Sequence, residues 1–235
     1  MVMEDVGPPY TSDMSYGLHW EWRGFGRLDK TARDRIEQLR PVGPASSVVD
    51  RYVWCPGLAI NVKLREWPGG QSFKLKRLLR RDEVHDVELW EERPDDDYLL
   101  PVSPESLQAI LTQLHWDHVE VSQPVDRGSL EDLLAHAAPG VQLVSVEKRR
   151  RAFTTTVGDT PVRVELADIS EPEALTSIGI EDQVGLDERS ATDAFERGRD
   201  AVRTVRDDLG MGLESRSYLD ALAFWVRGAR LGSDR

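Results

Sequence analysis

The sequence predicts an α+β chain built on a closed antiparallel β-barrel of about eight strands, with flanking helices. Three observations lead there. Eight segments alternate apolar and polar residues with the period of a half-buried strand, five before a helical middle and three after it. Helical periodicity fills the gap and resumes after the last strand. The polar faces carry charges of one sign: strands three, four and six are basic, whereas strands one, seven and eight offer carboxylates. An open sheet face mixes both signs. A sheet curled around a polar lumen segregates them around a ligand.

Each element has its own justification. In strand one, residues 16–25, Leu18, Trp20 and Trp22 alternate with His19, Glu21 and Arg23. Residues 47–54 form strand two, ended by Pro56 and Gly57. Residues 60–66 form strand three, with Val62 and Leu64 opposite Asn61, Lys63 and Arg65. Pro68, Gly69 and Gly70 turn the chain. Residues 72–78 return as strand four, with Phe73 and Leu75 opposite Lys74 and Lys76, and residues 84–92 are strand five. Pro94 and three aspartates then break the pattern. Ser103 caps a helix with Pro104 at its first position, and Leu107, Ile110, Leu111 and Leu114 recur at helical spacing. Residues 129–138 read as a second short helix, Ser129 and Asp132 making a capping box. Strands six to eight are residues 141–156, 162–169 and 175–181, the first two joined at Gly158. Ser190 caps a helix that Gly210 stops, and residues 216–228 form the last helix.

Composition limits the function. The 235 residues are read as a single domain with its core over 16–228 and a flexible segment at 1–15. Cys55 is the single cysteine, so no intrachain disulfide exists, which fits the reducing cytoplasm. No run of eighteen apolar residues predicts a membrane span, and the first residues lack the pattern of a signal peptide. The net charge of −12 argues against a nucleic-acid or membrane coat. The cations are nonetheless concentrated. Lys63, Arg65, Lys74, Lys76, Arg77, Arg80 and Arg81 fall close together, and 148–151 is a second basic cluster. An acidic chain with basic strands predicts a local anion site.

The order of these motifs resembles the CYTH superfamily, the triphosphate tunnel metalloenzymes. The family's opening Glu-x-Glu-x-Lys is similar to His19-Trp20-Glu21-Trp22-Arg23, with one carboxylate replaced by His19. Its Tyr-bearing second strand resembles Val49-Asp50-Arg51-Tyr52-Val53, and its Arg-x-Arg strand resembles Lys63-Leu64-Arg65. Phe73-Lys74-Leu75-Lys76 is similar to its Lys strand, and Lys148-Arg149-Arg150 to its later basic strand. Val164-Glu165-Leu166-Ala167-Asp168 resembles its Glu-bearing strand. Its closing Glu-x-Glu is similar to Gly179-Ile180-Glu181, again with one carboxylate missing. Ser217-Tyr218-Leu219 resembles its C-terminal Ser-Tyr helix.

The resemblance implies a closed eight-stranded tunnel and a divalent-metal-dependent hydrolase acting on a triphosphate or polyphosphate-type small anion. It implies that Arg23, Lys63, Arg65, Lys74, Lys76, Lys148 and Arg150 bind substrate. Glu21, Glu165 and Glu181 would hold Mg²⁺ or Mn²⁺, and Glu21 and Glu181 would serve catalysis. Mg²⁺ manages with one or two carboxylates when substrate phosphates supply further oxygens, and a histidine ligand suits Mn²⁺ or Zn²⁺ better. His19 is expected to bond phosphate or water and not to serve as a metal ligand. The missing carboxylates motivate an alternative, a tunnel that binds a polyanion without cleaving it. Trp20, Trp22, Trp54, Trp67, Trp90 and Trp225 are expected to pack between barrel and helices.

Overall fold

The computed structural model describes residues 17–92, 97–172, 174–183, 192–210, 213–215 and 217–232. The N-terminal segment 1–15, Pro94 and Ser190 lie outside them. Strands β1 (Gly17–Gly26), β2 (Arg40–Trp54), β3 (Ile60–Trp67), β4 (Gly70–Asp82) and β5 (Val87–Glu92) precede the helical middle. Strands β7 (Gln142–Val157), β8 (Thr160–Glu171) and β9 (Leu175–Asp182) follow it. They pair antiparallel in the order β1-β5-β4-β3-β2-β7-β8-β9, and β9 pairs back to β1, so eight strands close a barrel. Glu21 lies opposite Glu181 at that closing seam. Two short strands extend the sheet: β6 (Asp97–Leu99) on β4 and β10 (Glu214–Ser215) on β1.

Among the described residues, five helices cover the barrel. Helices α1 (Lys30–Glu37) and α4 (Thr192–Leu209) pack with the outward Trp20, Trp22, Phe153, Val164 and Ile180. Helices α2 (Pro104–Gln113) and α3 (Arg127–His136) bury Leu107, Ile110, Leu111, Leu130 and Leu134 against Val53, Val62, Leu64 and Phe73. Helix α5 (Tyr218–Gly232) packs differently. Its Tyr218, Ala221, Leu222 and Trp225 meet Phe25, Tyr52, Val146 and Ile169. Those four share strand parity with Arg23, Asp50, Lys148 and Glu165, so α5 stops one end of the lumen.

Several local expectations need correction. The capping box at 129–132 is displaced: Asp126 caps α3, accepting from Ser129 N at 2.9 Å, so the helix starts two residues earlier. Helix α1, capped by Asp29 accepting from Ala32 N, occupies a stretch where the alternation predicts no element. Strand β2 begins at Arg40 because β7 continues past Lys148 and supplies partners as far as Thr154. Trp90 does not pack between barrel and helices. Val87 and Leu89 join the outer core, so Trp90 faces inward beneath Lys76, 5.1 Å from its ring centre.

Helix α4 seats on the barrel through Gly198. A Cβ there would overlap the Asp182 carboxylate, whose Oδ1 accepts from Trp20 N at 3.1 Å. Gly198→Ala is expected to cost about 1–3 kcal/mol, the scale of a forced overpacking. A urea titration with an unchanged midpoint would contradict it.

Candidate functional site in the barrel lumen

The inward parity of the strands gathers ionisable side chains from around the barrel into one lumen. Strand β1 supplies His19, Glu21 and Arg23, while β3 supplies Lys63 and Arg65 and β4 supplies Lys74 and Lys76. Strand β7 adds Lys148 and Arg150, and β8 and β9 add Glu165 and Glu181. All the residues expected to bind substrate or metal therefore share this lumen.

The register places like charges side by side. Lys63 lies opposite Lys74, and Glu21 lies between Glu88 and Glu181 on its two neighbouring strands. Directly opposed like charges destabilise a sheet, so each ladder needs compensation. Part of it comes from cations on the same and nearby strands. Glu21 accepts from Arg23 Nε at 2.6 Å and from Lys76 Nζ. Burial opposes its ionisation, but Arg23 and Lys76 outweigh burial and hold its carboxyl well below the usual range. Glu165 accepts from Arg150 Nε at 2.8 Å and lies 3.6 Å from Arg23 Nη1. Burial again opposes, and Arg150 and Arg23 pull its pKa well down.

The deepest ion cluster centres on Asp50, for which the sequence predicts no role. Asp50 is 0% exposed. It accepts two hydrogen bonds from Arg65, at 2.7 and 2.8 Å, and one from the Tyr52 hydroxyl at 3.2 Å. Lys148 Nζ lies 2.8 Å from it and donates to the hydroxyls of Tyr52 and Tyr218, which stack 4.9 Å apart. A sequence signal existed: an aspartate on the inward parity of a strand whose partner carries Arg65 directly opposite. Lys63 sits beside this cluster, 5.8 Å from the Tyr52 ring. Burial and the neighbouring Arg65 push its ammonium well below the usual lysine range, Asp50 only partly opposing them.

Two residues explain the departures from the expected carboxylate pairs. At Gly179 a Cβ would stand 2.5 Å from Arg23 Nη2 and 2.8 Å from its Cζ, so the absent side chain leaves room for that guanidinium. Arg23 also stacks over the Tyr218 ring at 4.7 Å. His19 is only 4% exposed, and neither of its ring nitrogens has a hydrogen-bond partner. One ligand atom each from His19, Glu21 and Glu181 lies within 4.8 Å of the others. Glu165, paired with Arg150, stands outside this group.

At the α5 end, Glu88 borders a cavity of about 80 Å³ with Glu21, Arg81, Ser217 and Asp220. Burial raises its pKa to about 7; Arg81 opposes this and Glu21 adds to it. A carboxyl raised in the folded state binds protons that the unfolded chain has released. Stability from this group is therefore complete below its unfolded value of about 4.5 and is lost as pH rises through 7. Glu88→Gln is expected to remove that slope and to exceed wild type by about 1–2 kcal/mol at pH 8, after allowing for the lost pairing with Arg81. Denaturation at pH 5 and pH 8 checks it, and equal slopes in both proteins would contradict it.

Comparisons with known proteins bear on the fold. No family model and no curated protein matches the chain. Among solved structures it is similar to the PH1819 protein of Pyrococcus horikoshii OT3, with 16% identity and a TM-score of 0.50 over 86% of this chain and 98% of that one. It is also similar to the PH1012 protein of that organism, with 16% identity and a TM-score of 0.48 over 85% and 97%. A third likeness is to a "putative adenylate cyclase" of Bacillus halodurans, with 13% identity and a TM-score of 0.41 over 86% and 95%. At these identities the likeness concerns the fold alone. No described helix is long and apolar enough to cross a membrane.

Proposed function

We propose that the chain is a CYTH-type triphosphate tunnel protein that binds a triphosphate-containing small anion and hydrolyses it with a divalent metal ion. One observation carries the reading. Cations from β1, β3, β4 and β7 converge on a closed lumen, and like charges lie directly opposed there, Lys63 against Lys74 and Glu21 against Glu181. A polyanion with a cation is the ligand pair that relieves both ladders together.

The residues divide the work accordingly. Arg65, Lys74, Lys148 and Arg150 exchange lumenal carboxylates for phosphate oxygens, the arginines in bidentate fashion. Lys63, whose ammonium is disfavoured by burial and by the neighbouring Arg65, gains a compensating charge when phosphate arrives. His19, Glu21 and Glu181 fit a metal ion: their ligand atoms converge, and the orphaned nitrogens of His19 need a partner. When bound, such an ion neutralises charge on the phosphate oxygens and lowers the pKa of a coordinated water. Attack by water needs no protein nucleophile.

Calorimetry with tripolyphosphate tests the binding half. Arg65→Ala and Lys74→Ala are each expected to weaken it by about 1–3 kcal/mol, the scale of a charge-assisted hydrogen bond. Unchanged affinity in both variants would overturn the tunnel reading. Phosphate release with Mg²⁺, Mn²⁺ or chelator tests the catalytic half. Arg23 over Gly179, where a second carboxylate would stand, favours a second reading: a tunnel that binds and does not cleave. Tight tripolyphosphate binding without release under any metal would select it.

A further inference from the structure

We propose that His19, Glu21 and Glu181 form a mixed nitrogen–oxygen metal site in which His19 is a ligand and sets the preference for a transition ion, Mn²⁺ or Zn²⁺, over Mg²⁺. The inference rests on the tunnel reading only in placing the ion on the same lumenal wall.

The three side chains come from two strands locked in register. His19 and Glu21 stand two residues apart on the inward face of β1, and Glu181 lies opposite Glu21 on β9. Their ligand atoms lie within 4.8 Å of one another, and His19 Nε2 is 3.9 Å from Glu21 Oε2. That span is too long for a hydrogen bond. It suits two ligands sharing one ion, since donors each about 2.1 Å from a metal stand about 3–4 Å apart.

The imidazole supplies the independent evidence. It is 4% exposed with both nitrogens unpartnered. A buried polar group left unpaired costs about 1–3 kcal/mol, and nearly all such groups are satisfied in folded proteins. A cation between His19 and the two carboxylates satisfies one nitrogen and relieves the Glu21–Glu181 opposition at once. The donor set then decides which cation. Mg²⁺ demands an octahedron of oxygens and sheds water reluctantly. Imidazole beside carboxylates favours first-row transition ions, Zn²⁺ above Mn²⁺. Glu21 enters the site by releasing Lys76, which currently donates to it.

The test uses the full chain freed of metal by chelation and needs no phosphate. Calorimetric titration is expected to show Mn²⁺ and Zn²⁺ binding at least about tenfold tighter than Mg²⁺, and His19→Gln to erase that preference by weakening the transition ions alone. Pulsed electron paramagnetic resonance on Mn²⁺-loaded wild type is expected to show a directly bound imidazole nitrogen. It requires no variant, so a poorly folded His19→Gln does not block the result. Absence of the nitrogen coupling in wild type, its persistence in folded His19→Gln, or equal affinity for Mg²⁺ would each overturn the inference. Tripolyphosphate calorimetry separates the two claims. No nitrogen coupling with intact tripolyphosphate binding defeats this inference alone. A nitrogen-coupled ion without tripolyphosphate binding defeats the tunnel reading alone.

Discussion

Asp50→Ala is expected to lower unfolding free energy by about 3–5 kcal/mol, the scale of breaking a buried ion cluster from one side. The carboxylate is fully buried and is the shared acceptor for Arg65, Lys148 and Tyr52. Burial opposes its ionisation, but Arg65 and Lys148 outweigh it and hold its pKa well below the carboxylate range. Alanine leaves a guanidinium and an ammonium facing each other in a low-dielectric interior. If the lumen receives a polyanion, that ligand compensates the stranded cations. Tripolyphosphate should therefore raise the melting temperature of Asp50→Ala more than that of wild type. Urea denaturation measures the loss, and thermal melting with and without tripolyphosphate measures the rescue. A loss under about 1 kcal/mol would show that water already screens the cluster.

Glu181→Gln is expected to reduce metal-dependent phosphate release by on the order of a hundredfold or more, since even residues that merely orient a metal ligand cost ten- to a hundredfold when changed. Stability should barely move. The Glu181 side chain is 27% exposed, and it lies 3.6 Å from Arg163 Nε. Tripolyphosphate affinity without metal should also hold or rise slightly, because a carboxylate leaves the anion's surroundings. Glu21 is a poorer probe, since removing it strands Arg23 and Lys76 as well. Parallel assays of release, melting and calorimetry distinguish the outcomes. Full activity in Glu181→Gln, or activity that persists in chelator, would dismiss the metal mechanism.

The barrel was legible because strand parity is a local property. Trp20 and Trp22 on one side of β1, with Glu21 and Arg23 on the other, require an apolar outside and a charged inside whatever the neighbouring strands are. The same parity identified Lys63, Arg65, Lys74, Lys76, Lys148 and Arg150. Pairing between strands distant in sequence was not legible, because it depends on which strands end up near one another in the barrel. Nothing near Asp50 in sequence announces Lys148, and nothing near Glu21 announces Lys76. In sequence Gly179 reads as a lost carboxylate; in the fold the Arg23 guanidinium stands where its side chain would be. The face of Trp90 is not legible for a related reason. An aromatic on a strand is ordinarily outer core, and only the inward turn of Glu88 and Glu92 on either side fixes its face.

The seam between β1 and β9 also sets a timetable. Glu21 cannot meet Glu181 until every intervening strand has been made. At roughly 5–20 residues per second, a ribosome takes on the order of ten to thirty seconds to cover that distance. During the interval β1 can pair with β5 but keeps one hydrogen-bonding edge bare, and Trp20 waits for α4. An open apolar edge is the surface that recruits another chain. Closure by such distant partners also slows the final folding step. Nascent chains halted between β8 and β9 should therefore be the aggregation-prone species, and holding the first strand out of trouble is a task for chaperones during synthesis.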